Sequence, residues 1–182
     1  MSGRKTLAVL ALCAVVPAPG CGGPAAPRVR ATPEASGEPV EFAYVTTDQS
    51  ELSARTTRGR ATALLFVTTY DLASQVVARN LESVLRSQRP RANGGAVVLE
   101  DASYAPLADA FKSSLGLSYP VAMADGPTRQ GYGAFGKIER VPTLLVLDIR
   151  GRVTFRGQGA LRRAEIAEAL ASASPRGFAP RP

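Results

Sequence analysis

Histidine and tryptophan are absent from this 182-residue chain, and its only two cysteines are Cys13 and Cys21. Everything beyond residue 21 therefore lacks both a thiol and an imidazole. Thiol–disulfide exchange and peroxide reduction need a thiolate, so residues 22–182 have neither activity of their own. A serine nucleophile would need lysine as its general base, and the chain has three lysines.

Metal chemistry is limited by the same absences. Soft and borderline metals are held mainly by cysteine, histidine and methionine, and beyond residue 21 only Met123 belongs to that set. We therefore expect no metal site of this kind and no cofactor.

Basic residues outnumber acidic ones by 22 to 15, which gives a formal net charge of +7. Nineteen of them are arginines, and they stand singly or in short groups such as Arg150/Arg152 and Arg162/Arg163. Because no basic run and no interleaved aromatic residue accompanies them, we expect a solvated surface and no nucleic-acid partner. A polyanion-binding module is the alternative.

The N-terminus has the pattern of an export signal. Arg4 and Lys5 precede an apolar run at residues 7–16, which is too short to span a bilayer but suits a secretory leader. Cys13 lies within that leader. The pattern predicts that the chain is exported.

Gly20 and Cys21 resemble the end of a bacterial lipoprotein signal, in which the cysteine is acylated after cleavage. The resemblance implies a signal peptide at residues 1–20 and a mature protein anchored to a membrane of the cell envelope through lipidated Cys21. Ala18 and Pro19 depart from the pattern, so ordinary signal-peptidase cleavage near Ala18 or Gly20 is the alternative.

Composition then divides the rest of the chain. Residues 21–39 are rich in proline and glycine and have no apolar periodicity, which predicts a flexible linker. Residues 174–182 have a similar composition and are predicted to be a disordered tail. One domain is expected between them, at residues 40–173.

Strand and helix patterns alternate within that domain. Strands are predicted at residues 40–45, 63–67, 96–99, 141–148 and 152–156, with an extended stretch at 119–123, a turn at 93–95, and helices at 72–88, 106–115, from 127 onward and at 161–172. The last two strands are expected to form a hairpin. This order predicts an α/β fold with a mixed sheet and helices on both faces.

Residues 58–75 resemble the strand–loop–helix of membrane-attached, TlpA-like members of the thioredoxin-like superfamily, in which an aromatic residue precedes a Cys-x-x-Cys pair. Tyr70 falls on the aromatic position, Asp71 on the first cysteine and Ser74 on the second. The resemblance implies a thioredoxin-like frame whose active-site positions are degenerate, since neither residue can carry out thiol exchange. Asp71 is also expected to cap the helix that follows.

Residues 136–151 resemble the cis-proline segment and hairpin of the same superfamily. Residues 117–125 with Tyr132 and Gly133 resemble the preceding stretch of its peroxiredoxin-like (AhpC/TSA) and cytochrome-biogenesis branches. The similarity implies a thioredoxin-like fold over roughly residues 40–172. The alternative is another mixed α/β sheet in which the proline is simply a strand-edge residue.

In that superfamily the residue before the cis-proline presents backbone groups to an extended peptide. The resemblance therefore implies peptide-binding roles for Val141, Pro142 and Thr143. The alternative, which the sequence favours equally, is that Pro142 only fixes the conformation of its loop.

The expected function is a redox-inactive binding or accessory module of the envelope, with a protein or peptide partner and no catalytic residue. The alternative is a thiol-independent enzyme or a partner-dependent oxidoreductase subunit. A hydrolytic pair of Ser74 and Asp71 would need one of the three lysines as its general base, and a hydroxyl donor at Tyr70 or Ser74 has no supporting motif.

Overall fold

The computed structural model describes residues 37–174. The predicted signal peptide and Cys21 lie outside these residues, as do most of the predicted linker and tail. Within the described part, no helix has both the length and the apolar character needed to cross a bilayer.

Strands and helices alternate along the described chain. In order they are β1 (Ala43–Val45), β2 (Glu51–Ser53), α1 (Ala54–Thr57), β3 (Thr62–Val67), α2 (Leu72–Ser87), β4 (Asn93–Val98), α3 (Ala105–Leu115), β5 (Val121–Met123), α4 (Gly126–Gln130), β6 (Thr143–Leu147), β7 (Val153–Gln158) and α5 (Arg163–Ala173).

A five-stranded mixed sheet of order β5-β4-β3-β6-β7 forms the centre. β3, β4 and β5 are parallel, whereas β6 is antiparallel to β3, and β7 is antiparallel to β6. Every residue of β3 and β6 is buried, because the central strands are covered on both faces. The predicted mixed sheet and its closing hairpin are confirmed.

The two faces of β3 contact different layers. Leu65 and Val67 pack with the buried faces of α2, α3 and α5. Leu64 and Phe66 pack on the opposite side with the β1–β2 pair, α1 and Phe135. The short α4 joins that second side through the Tyr44 hydroxyl, which lies 3.1 Å from Thr128 Oγ1. Helices therefore lie on both faces, as predicted.

The first predicted strand differs from the observed one in length and in pairing. β1 covers only the end of residues 40–45, and it pairs with β2 in a separate antiparallel ribbon. β2 and α1 were not predicted, because elements of three and four residues are too short to show a period.

The predicted turn at residues 93–95 is wrong, since these residues begin β4. A Cβ at Gly94 would overlap the Leu85 side chain, and one at Gly95 would overlap Leu52. The two glycines therefore allow close packing on both faces of the strand.

Three apolar side chains of the predicted helices are on the surface. Leu72 and Val76 on α2 are 72% and 47% exposed, and Leu107 on α3 is 52% exposed. Helical spacing locates an apolar face, but it does not fix where the sheet covers that face.

Candidate functional site

The loop after β3 and the segment before β6 lie at the same end of the sheet. Phe66, next to the end of β3, pairs with Thr143 at the start of β6. The peptide bond between Val141 and Pro142 is cis. The register therefore brings Pro142 to the edge from which residues 68–71 lead into α2.

Asp71 caps α2, as predicted. Its Oδ1 accepts a hydrogen bond from the Ala73 N–H at 3.3 Å, and its Oδ2 accepts one from the Ser74 N–H at 2.8 Å. The Ser74 hydroxyl also donates to Asp71 Oδ2 at 2.8 Å. A carboxylate here satisfies free amides of the first turn and lies in the favourable field of the helix dipole.

Ser74 is fully buried. Besides donating to Asp71, its Oγ accepts a hydrogen bond from the Thr68 N–H at 3.4 Å. No lysine of the described residues forms a hydrogen bond with it, and Lys112 lies 3.7 Å from the Asp48 carboxylate instead. A hydroxyl that is buried and held in this way neither meets a substrate nor has an amine base, so the geometry does not support a hydrolytic pair.

Glu100, just after β4, braces the loop and was not predicted as a site residue. Its Oε1 accepts hydrogen bonds from the Thr69 N–H at 2.7 Å and from the Thr69 hydroxyl at 2.6 Å. Gln75 Nε2 donates to the Thr69 carbonyl at 3.2 Å. A carboxylate that follows a buried strand is the available sequence signal, because parallel neighbouring strands end at one edge.

Two polar atoms beside this loop have no hydrogen-bond partner among the described residues: Thr68 Oγ1 and Glu100 Oε2. Thr68 is 8% exposed. A buried polar atom without a partner costs about 1–3 kcal/mol. The cap at Asp71, which stabilises the fold, therefore lies close in sequence to Thr68, whose unpartnered hydroxyl destabilises it.

Exposed apolar side chains lie at the start of α2 and just after α4. Tyr70 and Leu72 are 80% and 72% exposed, and Tyr132 is 67% exposed. Tyr132 belongs to the same end of the fold, because Arg129 of α4 forms an ion pair with Asp101 just beyond β4.

The charges beside this apolar surface are fixed. Hydrogen bonding by the Ser103 N–H, together with Arg129, lowers the pKa of Asp101 to about 2. The ion pair of Asp101 and Arg129 therefore stays charged at neutral pH. The exposed side chains of Tyr70, Leu72 and Tyr132 form the uncharged part of this edge.

The three predicted peptide-binding residues differ in accessibility. Val141 is half-buried, and no hydrogen bond to its N–H or C=O occurs within residues 37–174. Pro142 is buried, and its carbonyl accepts from the Gly159 N–H at 2.8 Å. Thr143 is fully buried, and its hydroxyl donates to the Arg140 carbonyl at 2.6 Å. Of the three, Val141 alone offers free backbone groups.

Solved structures share this architecture at low sequence identity. A DsbF homologue from Corynebacterium diphtheriae matches with a TM-score of 0.68 and 17% identity, covering 82% of this chain and 96% of that chain. A thioredoxin-family thiol:disulfide interchange protein from Chlorobium tepidum matches with a TM-score of 0.59 and 26% identity, covering 79% and 97%. The chain has the thioredoxin-like fold. A secreted Mycobacterium tuberculosis disulfide oxidoreductase homologous to E. coli DsbE also matches, with a TM-score of 0.60 and 15% identity, covering 72% and 95%.

No protein-family model matches the sequence, and no curated protein is significantly similar to it. In this thioredoxin-like chain, the loop after β3 and the cis peptide at Pro142 meet at one sheet edge. The assignment of Asp71 and Ser74 to the positions of a cysteine pair stays a prediction.

Proposed function

We propose that this chain is an exported, lipid-anchored thioredoxin-like protein without dithiol redox activity, which acts as a binding or accessory module in the cell envelope. The observation that carries the proposal is the hydrogen-bonded pair of Asp71 and Ser74 at the start of α2. Residues 37–174 contain no cysteine. A carboxylate and a buried hydroxyl provide neither the attacking nor the resolving thiol of an exchange reaction.

The redox part of the proposal is tested by an insulin-reduction assay with dithiothreitol as the electron source. We expect the full chain to give no turnover above the uncatalysed rate. Turnover that persists when Cys13 and Cys21 are replaced by serine would overturn this part, and turnover that appears only with a co-purified partner would favour a partner-dependent oxidoreductase subunit.

Export and anchoring rest on the leader and on Cys21, and one of the similar structures is of a secreted protein. Mass spectrometry of the mature N-terminus tests both. We expect the mature chain to begin at Cys21 and to carry acyl groups. An unmodified N-terminus near Ala18 or Gly20 would mean export without a lipid anchor.

The binding surface of the proposal combines an apolar patch with free backbone groups. Tyr70, Leu72 and Tyr132 are exposed at the edge where Val141 has its unpaired N–H and C=O. Backbone groups of this kind pair with an extended chain, and neighbouring apolar side chains supply contact area. The partner that fits is an extended segment of an envelope protein.

A crosslinking pull-down from the native envelope tests the surface with matched variants. Tyr70→Ala/Leu72→Ala removes two exposed side chains at the site. Tyr104→Ala/Leu107→Ala removes the same two residue types at α3, where the side chains are 49% and 52% exposed. We expect the first variant to lose the crosslinked partner and the second to keep it. Equal recovery with both variants would contradict the assigned surface.

A further inference from the structure

The fold brings Arg60, just before β3, to three arginines that lie close together in sequence at the end of α2 and before β4. Arg60, Arg86, Arg89 and Arg91 line a cavity of about 590 Å³, which we call the arginine cleft. The cleft lies where α2 ends and where β4 and β5 begin. Since α2 has 16 residues, its length separates the cleft from Asp71 by about 24 Å. The cleft is therefore distinct from the site described above.

Positive charge dominates the lining. Glu51 is the one carboxylate among the lining residues, and it lies 3.5 Å from Arg55 outside the lining. Arg86 Nε donates to Glu82 at 2.6 Å. The cleft thus presents more guanidinium groups than its own carboxylate can neutralise.

The arginines of the cleft differ in the hydrogen bonds that their side chains make. Arg89 Nη1 donates to the carbonyls of Arg86 at 3.2 Å and Gln88 at 2.7 Å, which caps the end of α2. In contrast, the side chains of Arg60 and Arg91 make no hydrogen bond or ion pair within the described residues. Helix capping therefore accounts for Arg89 but not for Arg60 or Arg91.

Hydrogen bonds within the fold hold the walls of the cleft. Asn93 Nδ2 donates to the Thr57 carbonyl at 2.8 Å, which joins β4 to the end of α1. The Ser118 N–H and hydroxyl donate to Glu82 Oε2 at 2.8 and 3.0 Å, which ties the segment before β5 to α2. The exposed guanidinium groups therefore project from elements that are hydrogen-bonded to one another.

We propose that the arginine cleft binds a phosphate-class anion, either a small free phosphate compound or the phosphate headgroup of an anionic lipid. Guanidinium groups match phosphate oxygens in paired hydrogen bonds. A concave surface lined by one sign of charge concentrates the opposite ion. The volume lies within the range of about 300–1,000 Å³ typical of small-ligand sites. This inference does not depend on the function proposed above.

Calorimetric titration of the full chain with inorganic pyrophosphate tests the cleft. Arg60→Gln/Arg91→Gln removes the two unpaired guanidinium groups, whereas Arg79→Gln/Arg150→Gln removes the same charge from exposed arginines outside the lining. We expect the first variant to bind at least about tenfold more weakly than wild type and the second to bind within about twofold, since tenfold is about one charge-assisted hydrogen bond. Equal weakening in both variants would mean a diffuse charge effect and would overturn the proposal.

Vesicles of phosphatidylcholine with and without 30% phosphatidylglycerol distinguish the two sources. A lipid headgroup is supported if wild type sediments with the anionic vesicles and only the Arg60→Gln/Arg91→Gln variant does not. A free phosphate compound is supported if wild type binds pyrophosphate but not the vesicles. If wild type binds neither probe, or if single-stranded DNA alone binds through these arginines, the proposal is overturned. Thermal melting of both variants by circular dichroism verifies that they are folded.

Discussion

The Ser74 hydroxyl donates a hydrogen bond to Asp71 Oδ2 at 2.8 Å within the first turn of α2. The same oxygen accepts the Ser74 N–H, so the two residues form a closed local unit. Such a unit stabilises a helix start and offers no group for redox chemistry. Its stabilising role and its redox inertness can be tested separately.

The first prediction concerns the cap. Asp71→Ala is expected to lower the free energy of unfolding by about 1–2 kcal/mol, because the amides of Ala73 and Ser74 lose their acceptor. Asp71→Asn keeps an acceptor oxygen and is expected to lower it by less. Urea denaturation followed by circular dichroism measures both values. Equal stability of Asp71→Ala and wild type would contradict the role of the cap.

The second prediction restores the missing thiols. The side chains at positions 71 and 74 already meet, so Asp71→Cys/Ser74→Cys is expected to form a reversible disulfide and to gain insulin-reduction activity. The helix N-terminus would stabilise the thiolate at position 71. The matched control, Asp71→Cys alone, keeps Ser74 and is expected to give no turnover.

A double variant that folds and still gives no turnover would contradict the assignment of Asp71 and Ser74 to the positions of the cysteine pair. Free-thiol titration before and after reduction shows whether the disulfide has formed.

A third prediction compares two buried threonines. Thr68 Oγ1 has no partner among the described residues, whereas Thr143 Oγ1 donates to the Arg140 carbonyl at 2.6 Å. Thr68→Val is therefore expected to raise the free energy of unfolding by about 1 kcal/mol, and Thr143→Val to lower it by about 1 kcal/mol. Chemical denaturation measures the two values, and destabilisation by Thr68→Val would mean that its hydroxyl is solvated or bonded in solution.

The fourth prediction concerns pH. Burial acts to raise the pKa of Glu82, but the Ser118 N–H and hydroxyl and Arg86 outweigh it and lower the pKa below its ordinary value. Because the folded-state pKa lies below the unfolded value of about 4.3, the contribution of Glu82 is complete above that pH. It is lost as the pH falls through the lowered folded-state pKa.

Glu82→Gln should therefore be less stable than wild type at pH 7, and the difference should shrink as the pH approaches 3. Glu168 is exposed and makes no hydrogen bond or ion pair in the described part of the chain, so Glu168→Gln serves as the control. Urea midpoints between pH 3 and pH 7 give the profiles, and a constant difference for Glu82→Gln would contradict the prediction.

Local patterns in the sequence predicted most of the fold. The long buried strands, the helix start at Leu72 and the hairpin after β6 all have strong periodic or turn signals, and the structure contains them. β2 and α1 were missed because they are too short to show a period. β4 was predicted to begin late because Gly94 and Gly95 suggest a turn, whereas both lie in the strand, where Leu85 and Leu52 pack closely against them.

The site was predicted in part. The cap at Asp71 follows from residue type and position, since capping involves amides two and three residues away. The bracing of Thr69 by Glu100 was not predicted, because it joins residues 31 apart through the pairing of two strands. The exposure of Leu72 was also missed, since it depends on where the sheet covers α2.

By itself, the sequence determined which chemistry the chain beyond residue 21 lacks, because side-chain type alone decides whether a thiol or an imidazole exists. It also determined the order of the long elements, because hydrophobic period is a local property. Only the tertiary structure decided which distant residues meet. Sheet register brings Glu100 to Thr69, and the pairing of the first residues of β3 and β4 brings Arg60 and Arg91 to one cleft, because such contacts depend on pairing between elements.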